Sequence, residues 1–268
     1  MMPRSALSSY TDKTTNANQR NQLQASSGMP LETFATQRRM AGLELRAERL
    51  PFTVRIVTSE QDLDKAVSVR HTAYARHLPT VAALLAAPEA YDRDEGSVVV
   101  LAESKLDGSP IGTMRIQTNR CRPLALEQSL VLPVGLQGKN LAEATRLGVS
   151  QGAIGRVVKT ALFKAYFHFC QLADIDWMVI AARSPLDRQY EALLFQDVYP
   201  GAEFIAMRHA GNIPHRVLTL KVAEAEPTWL HANHPLFDYI FRTCHRDIDV
   251  TSANPSWVAR KGANLRIS

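Results

Sequence analysis

One stretch of this chain restricts its fold more than any other: the apolar run Ser97 to Glu103, the dipeptide Asp107-Gly108, and the return segment Pro110 to Gln117. A run rich in β-branched residues, with no charge before Glu103, suits a strand buried on both faces. Asp-Gly supplies the positive backbone angles of a tight turn between two such strands. An antiparallel hairpin is therefore expected inside a sheet, and the remaining chain has to cover it.

The flanking sequence supplies that cover. Phe52 to Thr58 alternates as a strand, and Ser59 can cap a helix from Glu60 to about Arg76, with Leu63, Ala66, Val67, Arg70 and Tyr74 along one side. A second helix is predicted over Val81 to Ala87, ending before Pro88. Asn140 to Val149 reads as a strand that passes through Ser150-Gln151-Gly152-Ala153-Ile154-Gly155 into a helix from about Ile154 to Leu172. That helix turns Val157, Val158, Ala161, Leu162, Ala165, Tyr166 and Phe169 inward and Arg156, Lys159 and Lys164 largely outward. Trp177 to Ala182, Ala202 to Arg208 and His215 to Val222 are predicted strands, with a helix over Asp187 to Val198 and an amphipathic helix from Pro227 onward. Three regions are expected: a polar, flexible lead over 1–49, an α/β core over 50–225, and a C-terminal helical extension over 226–268 packed on the core.

At 268 residues and 46% hydrophobic, the chain can bury one full core. Neither an uninterrupted apolar stretch of roughly eighteen residues nor an apolar N-terminal segment occurs, so no membrane span or signal peptide is expected, and a cytoplasmic location is. Cys121, Cys170 and Cys244 lie far apart and the histidines have no HExxH or CxxC company, which argues against disulfides and a metal site. The net charge of +5 is a mild bias toward an acidic partner and does not require nucleic acid.

Three groups of residues carry candidate chemistry. Glu89, Asp92 and Arg115 flank apolar segments, where burying an unpaired charge costs several kcal/mol; surface pairing, worth roughly 0–1 kcal/mol, is the plainer reading. Glu143 and Arg146 fall in one strand, and a regular strand would point them to opposite faces. They can cooperate only if a bulge inserts a residue between them, which would also free a backbone N–H for a thioester carbonyl. Otherwise they are two exposed residues of an edge strand. Gly152, Ala153, Gly155 and Arg156 open a helix whose N–H groups suit an anion, although a plain turn also explains the glycines and the full nucleotide-loop spacing is missing.

Taken in order, Val69-Arg70-His71-Thr72-Ala73-Tyr74, Glu89-Ala90-Tyr91-Asp92, Ile111-Gly112-Thr113-Met114-Arg115 and Ala142-Glu143-Ala144-Thr145-Arg146-Leu147 resemble the N-acyl amino acid synthases of the FeeM type. More distantly they resemble the acyl-homoserine lactone synthases, and the likeness spans about Val69 to Val222. It implies an α/β, GNAT-like fold: a mixed, mostly antiparallel sheet with a central strand splay, flanked by helices. It further implies an acyltransferase that moves a long-chain acyl group from the phosphopantetheine thioester of acyl carrier protein, or of CoA, to an amino acid amine, with no permanently bound cofactor. The likeness places Arg70, Asp92 and Arg115 in a charged cluster beside the acceptor and Glu143 and Arg146 at the reaction centre. Tyr74 and Glu89 join the substrate side. The backbone of Leu147, Gly148 and Val149 is the candidate oxyanion and thioester contact, and the helix start at Gly152, Ala153, Gly155 and Arg156 the candidate phosphopantetheine contact.

Glu89 stands where lactone synthases commonly have Asp, and Ala142 where an aromatic often precedes the strand glutamate, which favours the amino acid branch. Arg156, Lys159 and Lys164 would offer a basic face to the carrier protein. Two rival readings are a homoserine lactone synthase, which would consume S-adenosylmethionine, and a non-catalytic module that binds an acidic partner.

Overall fold

The computed structural model describes residues 46–251, so most of the expected polar lead and the last part of the C-terminal extension lie outside the described residues. In chain order the elements are β1 (Arg46–Glu48), β2 (Phe52–Ile56), α1 (Glu60–Ala75), α2 (Pro79–Leu84), β3 (Ser97–Ser104), β4 (Pro110–Thr118), β5 (Leu141–Val149), α3 (Gly152–Leu172), β6 (Trp177–Ala182), α4 (Asp187–Glu191), β7 (Gln196–Asp197), β8 (Ile205–Met207), β9 (Ile213–Lys221), α5 (Val222–His231), β10 (Thr243–His245) and β11 (Ile248–Asp249).

The hairpin encoded by Asp107-Gly108 forms as β3 and β4, with Gly108 at φ +69°, and it lies inside the main sheet. The strand order there is β11-β2-β3-β4-β5-β6-β9-β7, with β8 paired to β9. Only β11–β2 and β5–β6 run parallel in this sheet, so it is mixed and mostly antiparallel, as the resemblance implied. One face packs α3 through Val158, Leu162 and Tyr166 onto Ala142, Ala144 and Ile180. The other face carries α1, whose Leu63, Ala66 and Val67 meet Val99 and Leu101. Ser59 caps α1 as its sequence indicates, its side chain accepting from the Asp62 N–H.

Four local expectations are corrected. The helix predicted over Asp187 to Val198 stops at Glu191, because Leu194 takes φ +63° and β7 pairs with β9. Arg216 of β9 then gathers Asp187, Glu191 and Asp197, which removes the polar outer face a longer helix would need. The strand predicted over Ala202 to Arg208 is confined to β8, and Arg208–Ala210 forms a 3₁₀ turn. The segment from Pro227 onward is not one helix: α5 starts earlier, a π turn covers Asp238–Arg242, and β10 and β11 follow. The facing of α3 differs at two residues: Val157, expected inward, is exposed, and Lys164 does not face outward. Lys164 is 1% exposed, and its ammonium donates to the carbonyls of Tyr239 and Thr243 beside Nδ1 of His245. The C-terminal segment lies over a helix face that periodicity alone assigned to solvent.

Candidate active site

The site is built on β5. This strand is central rather than an edge, and Leu141 to Arg146 are all buried. Its parallel pairing with β6 ends at Ala144 and Ile180. Its ladder with β4 slips at the same level, since Thr113 faces Gly148 while Arg115 faces Thr145. Three steps along β5 thus match two along β4, and the extra residue is absorbed where Arg146 takes φ +57°. A left-handed conformation costs a non-glycine residue about 1–2 kcal/mol. The bulge and the interrupted ladder splay β5 from β6 and open a cavity of about 310 Å³. Leu147, Gly148 and Val149 form one wall, Ile180 and Ala182 the other, and Tyr74 reaches in from α1. At Gly148 the helix comes so close that a Cβ would lie 3.1 Å from both Arg70 Cα and Ala73 Cβ. A side chain there would require α1 and β5 to move apart by a few tenths of an ångström.

Beside the bulge lies a buried ionic network. Arg70 donates both Nη1 and Nη2 to Asp92 at 2.9 Å. Arg115 Nη1 bridges Glu89 Oε2 at 3.1 Å and Asp92 Oδ1 at 3.2 Å, and its Nε donates to Thr145 Oγ1. Arg146 clasps Glu89 through Nε and Nη2, both at 2.7 Å, and Nη2 also donates to the His209 carbonyl at 2.8 Å. Glu89 and Asp92 are positioned by the short 3₁₀ turn Ala90–Arg93, where the Glu89 N–H donates to Asp92 at 2.7 Å. Burial works against both carboxylates, but the surrounding guanidinium groups prevail and hold them below the ordinary range.

Glu143 differs. It is wholly buried, and burial pushes its carboxyl up to about 7 despite the Leu126 N–H, Arg115 and Arg146. Oε2 accepts from the Leu126 N–H at 3.2 Å. Oε1 has no hydrogen-bond partner among the described residues and lies 3.6 Å from Nε2 of His209. Burial, followed by the nearby Arg146, lowers the His209 imidazole to about 4, so it is neutral at pH 7.

The profile of the family described as N-acyl amino acid synthase FeeM matches residues 65–210, more than half of the chain. The chain belongs to the FeeM-type N-acyl amino acid synthase family. This FeeM-type chain is an acyltransferase, and its sheet, splay and flanking helices are those of the GNAT-like superfamily. Among solved structures it is similar to FeeM, an N-acyl amino acid synthase from uncultured soil microbes, at 18% identity over 68% of this chain and 96% of that one, with a TM-score of 0.55. It also matches BjaI, a CoA-dependent acyl-homoserine lactone synthase solved with SAM and isopentyl-CoA, at 16% identity over 80% and 99% of the two chains (TM-score 0.49). A putative N-acetyltransferase from Lactobacillus plantarum matches at 12% identity over 65% and 99% (TM-score 0.47). A search of curated proteins gave no match.

In this FeeM-type chain Arg70, Glu89, Asp92, Arg115 and Arg146 converge on one network, and Tyr74, Leu147, Gly148 and Val149 converge on the cavity. Glu143 and Arg146 do not pair with each other; they meet at His209, through its imidazole and its carbonyl respectively. Gly152, Ala153, Gly155 and Arg156 stay outside the cavity wall. Gly155 serves packing, since a Cβ there would fall 1.8 Å from the Ser150 carbonyl oxygen. Lys159 does line the cavity, whereas the burial of Lys164 takes it out of the basic face expected on α3. Sequence reading missed His209: one histidine just past the end of a predicted strand carries no spacing signal. Among the described residues no group of three or more His, Cys, Asp or Glu could hold a metal ion, and no helix is long and apolar enough to cross a membrane.

Proposed function

We propose that the chain transfers a fatty acyl group from the thioester of acyl carrier protein, or of CoA, to the amino group of an amino acid by direct aminolysis. The observation that carries this reading is Glu143, a fully buried carboxyl raised to about 7 beside the point where β5 and β6 part. A base matched to neutral pH serves best where the amine must lose a proton as it attacks. A free α-amino group has an ordinary pKa of about 8, so reaching its neutral form at pH 7 costs roughly 1 kcal/mol, and base assistance typically adds about 10²–10⁴ in rate.

In this reading the thioester enters the cavity with its carbonyl toward the released edge of β5. The amine nitrogen bonds to the carbonyl carbon, its proton passes directly or through water to the buried Glu143 carboxylate, and collapse expels the thiolate, which takes up that proton and returns Glu143 to its ionised form. Backbone N–H groups of Leu147 to Val149 are the candidate oxyanion donors, worth about 10²–10³ in rate. Three guanidinium groups share two carboxylates in the adjoining network, which leaves one positive charge for the acceptor's carboxylate. The helix start at Gly152 to Arg156 reaches a phosphate only on a donor that extends beyond the cavity.

The test is direct. Purified protein given long-chain acyl carrier protein or acyl-CoA and pooled amino acids is expected to yield N-acyl amino acids by mass spectrometry, with Glu143→Gln at least about 100-fold slower. Absence of product from either donor, or undiminished rates in both Glu143→Gln and Arg146→Ala, overturns the assignment. Consumption of S-adenosylmethionine with release of a lactone would replace it by the lactone chemistry.

A further inference from the structure

Among the described residues, Oε1 of Glu143 and Nδ1 of the neighbouring His209 are buried without hydrogen-bond partners, as is Oε1 of Gln117, which faces Glu143 across the β4–β5 ladder. His209 Nε2 stands 3.6 Å from Glu143 Oε1, just beyond hydrogen-bond distance. The surroundings restrict what the imidazole can be. Arg146 from β5, Arg115 from β4 and His215 from β9 all disfavour its cationic form, opposed by Glu89, so it acts through its N–H dipole and not as a charge. Around Glu143 stand Arg115, Arg146 and the N–H groups of Ala125 and Leu126, and Tyr166 of α3 lies behind. The backbone of residue 209 is itself fixed by its carbonyl bond from Arg146.

We propose that His209 is a positioning residue for Glu143: the neutral imidazole carries its proton on Nε2 and donates it as a hydrogen bond to Oε1, holding the carboxylate ionised and aimed for the incoming amine. This rests on Glu143 being the base. It assigns a function to a side chain that neither the sequence motifs nor the charged network includes. An ionised buried oxygen without a donor is costly, and His209 Nε2 stands 3.6 Å from it.

The test follows the Glu143 carboxyl by infrared difference spectroscopy, as the band present in wild type and lost in Glu143→Gln, across a pH titration of wild type, His209→Gln and His209→Leu. Gln keeps an N–H donor of similar reach, and Leu fills the space without one. The midpoint is expected to rise by about one pH unit in His209→Leu and to stay near wild type in His209→Gln, with the acidic limb of kcat/KM moving in step. A His209→Leu midpoint equal to wild type overturns the proposal, as does an equal shift in both variants. Should His209→Leu not fold, ¹⁵N spectra of the wild-type imidazole decide: a proton on Nε2 supports the proposal, and one on Nδ1 overturns it. The titration needs no turnover, so its failure is distinct from failure of the acyl-transfer reading, which an active Glu143→Gln would reveal.

Discussion

The two faces of the sheet bury cations by different means. On the α1 face, Arg70 and Arg115 are 2% and 1% exposed and are met by the carboxylates of a short turn. On the α3 face, Lys164 is equally inaccessible and is met by the carbonyls of Tyr239 and Thr243 and by the His245 imidazole. Forked guanidinium groups sharing carboxylates form a network of side chains, and an acceptor's carboxylate can enter such a network by re-partnering. An ammonium held by main-chain oxygens instead fixes a backbone segment in place. Buried charge therefore forms a side-chain network beside the proposed reaction centre on one face and a clamp for the C-terminal segment on the other.

The contrast breaks most sharply at Asp92. Removing it in Asp92→Ala strands Arg70 and Arg115 in the interior and is expected to lower unfolding stability by about 3–5 kcal/mol, read from chemical denaturation.

Next is the pH dependence of Glu143. Its folded carboxyl is raised to about 7 from an ordinary 4.5, so the folded state keeps a proton that the unfolded state releases, and stability falls as pH rises through that interval. The stability of Glu143→Gln minus that of wild type is thus expected to grow between pH 4.5 and 7, on the order of 3 kcal/mol in all. Wild type alone conceals this, because His209 and His245 are lowered to about 4 from 6.5 and contribute stability that grows as pH rises across that range. A flat difference curve would show that Glu143 is not strained by burial.

Lys164→Met tests the clamp: three acceptors lose a donor, for an expected loss of about 1–3 kcal/mol, with faster amide exchange concentrated in β10 and β11. Uniform exchange across both faces would erase the distinction between network and clamp. The smallest effect is expected at the exposed pair Arg93 and Glu60, where Arg93→Ala should cost less than about 1 kcal/mol and that loss should shrink with added salt.

Much of the fold is legible before any coordinates. The β3–β4 hairpin, the strand β5, the glycine passage into α3 and the capped α1 lie within a residue or two of where alternation, turn chemistry and capping put them. An irregularity in β5 was partly readable, because strand geometry demands one if Glu143 and Arg146 are to face one site, but the register runs evenly from Glu143 to Thr145 and slips between Thr145 and Gly148, at Arg146 itself and not before it. The partners were not readable. Arg146 pairs with Glu89, 57 residues away, and Glu143 meets His209 from a turn that follows the segment read as strand. Lys164 looked like a solvent-facing residue until the C-terminal segment covered it.

The sequence by itself determined the β3–β4 hairpin, β5, α1 and α3 and which residue types stand near the splay, since those follow from local periodicity and steric preference. Only the tertiary structure decided which charges are paired, which carboxyl is raised and which histidine lies against it. Burial and pairing are set by whichever distant segment comes to lie against a side chain, and no local pattern encodes that neighbour.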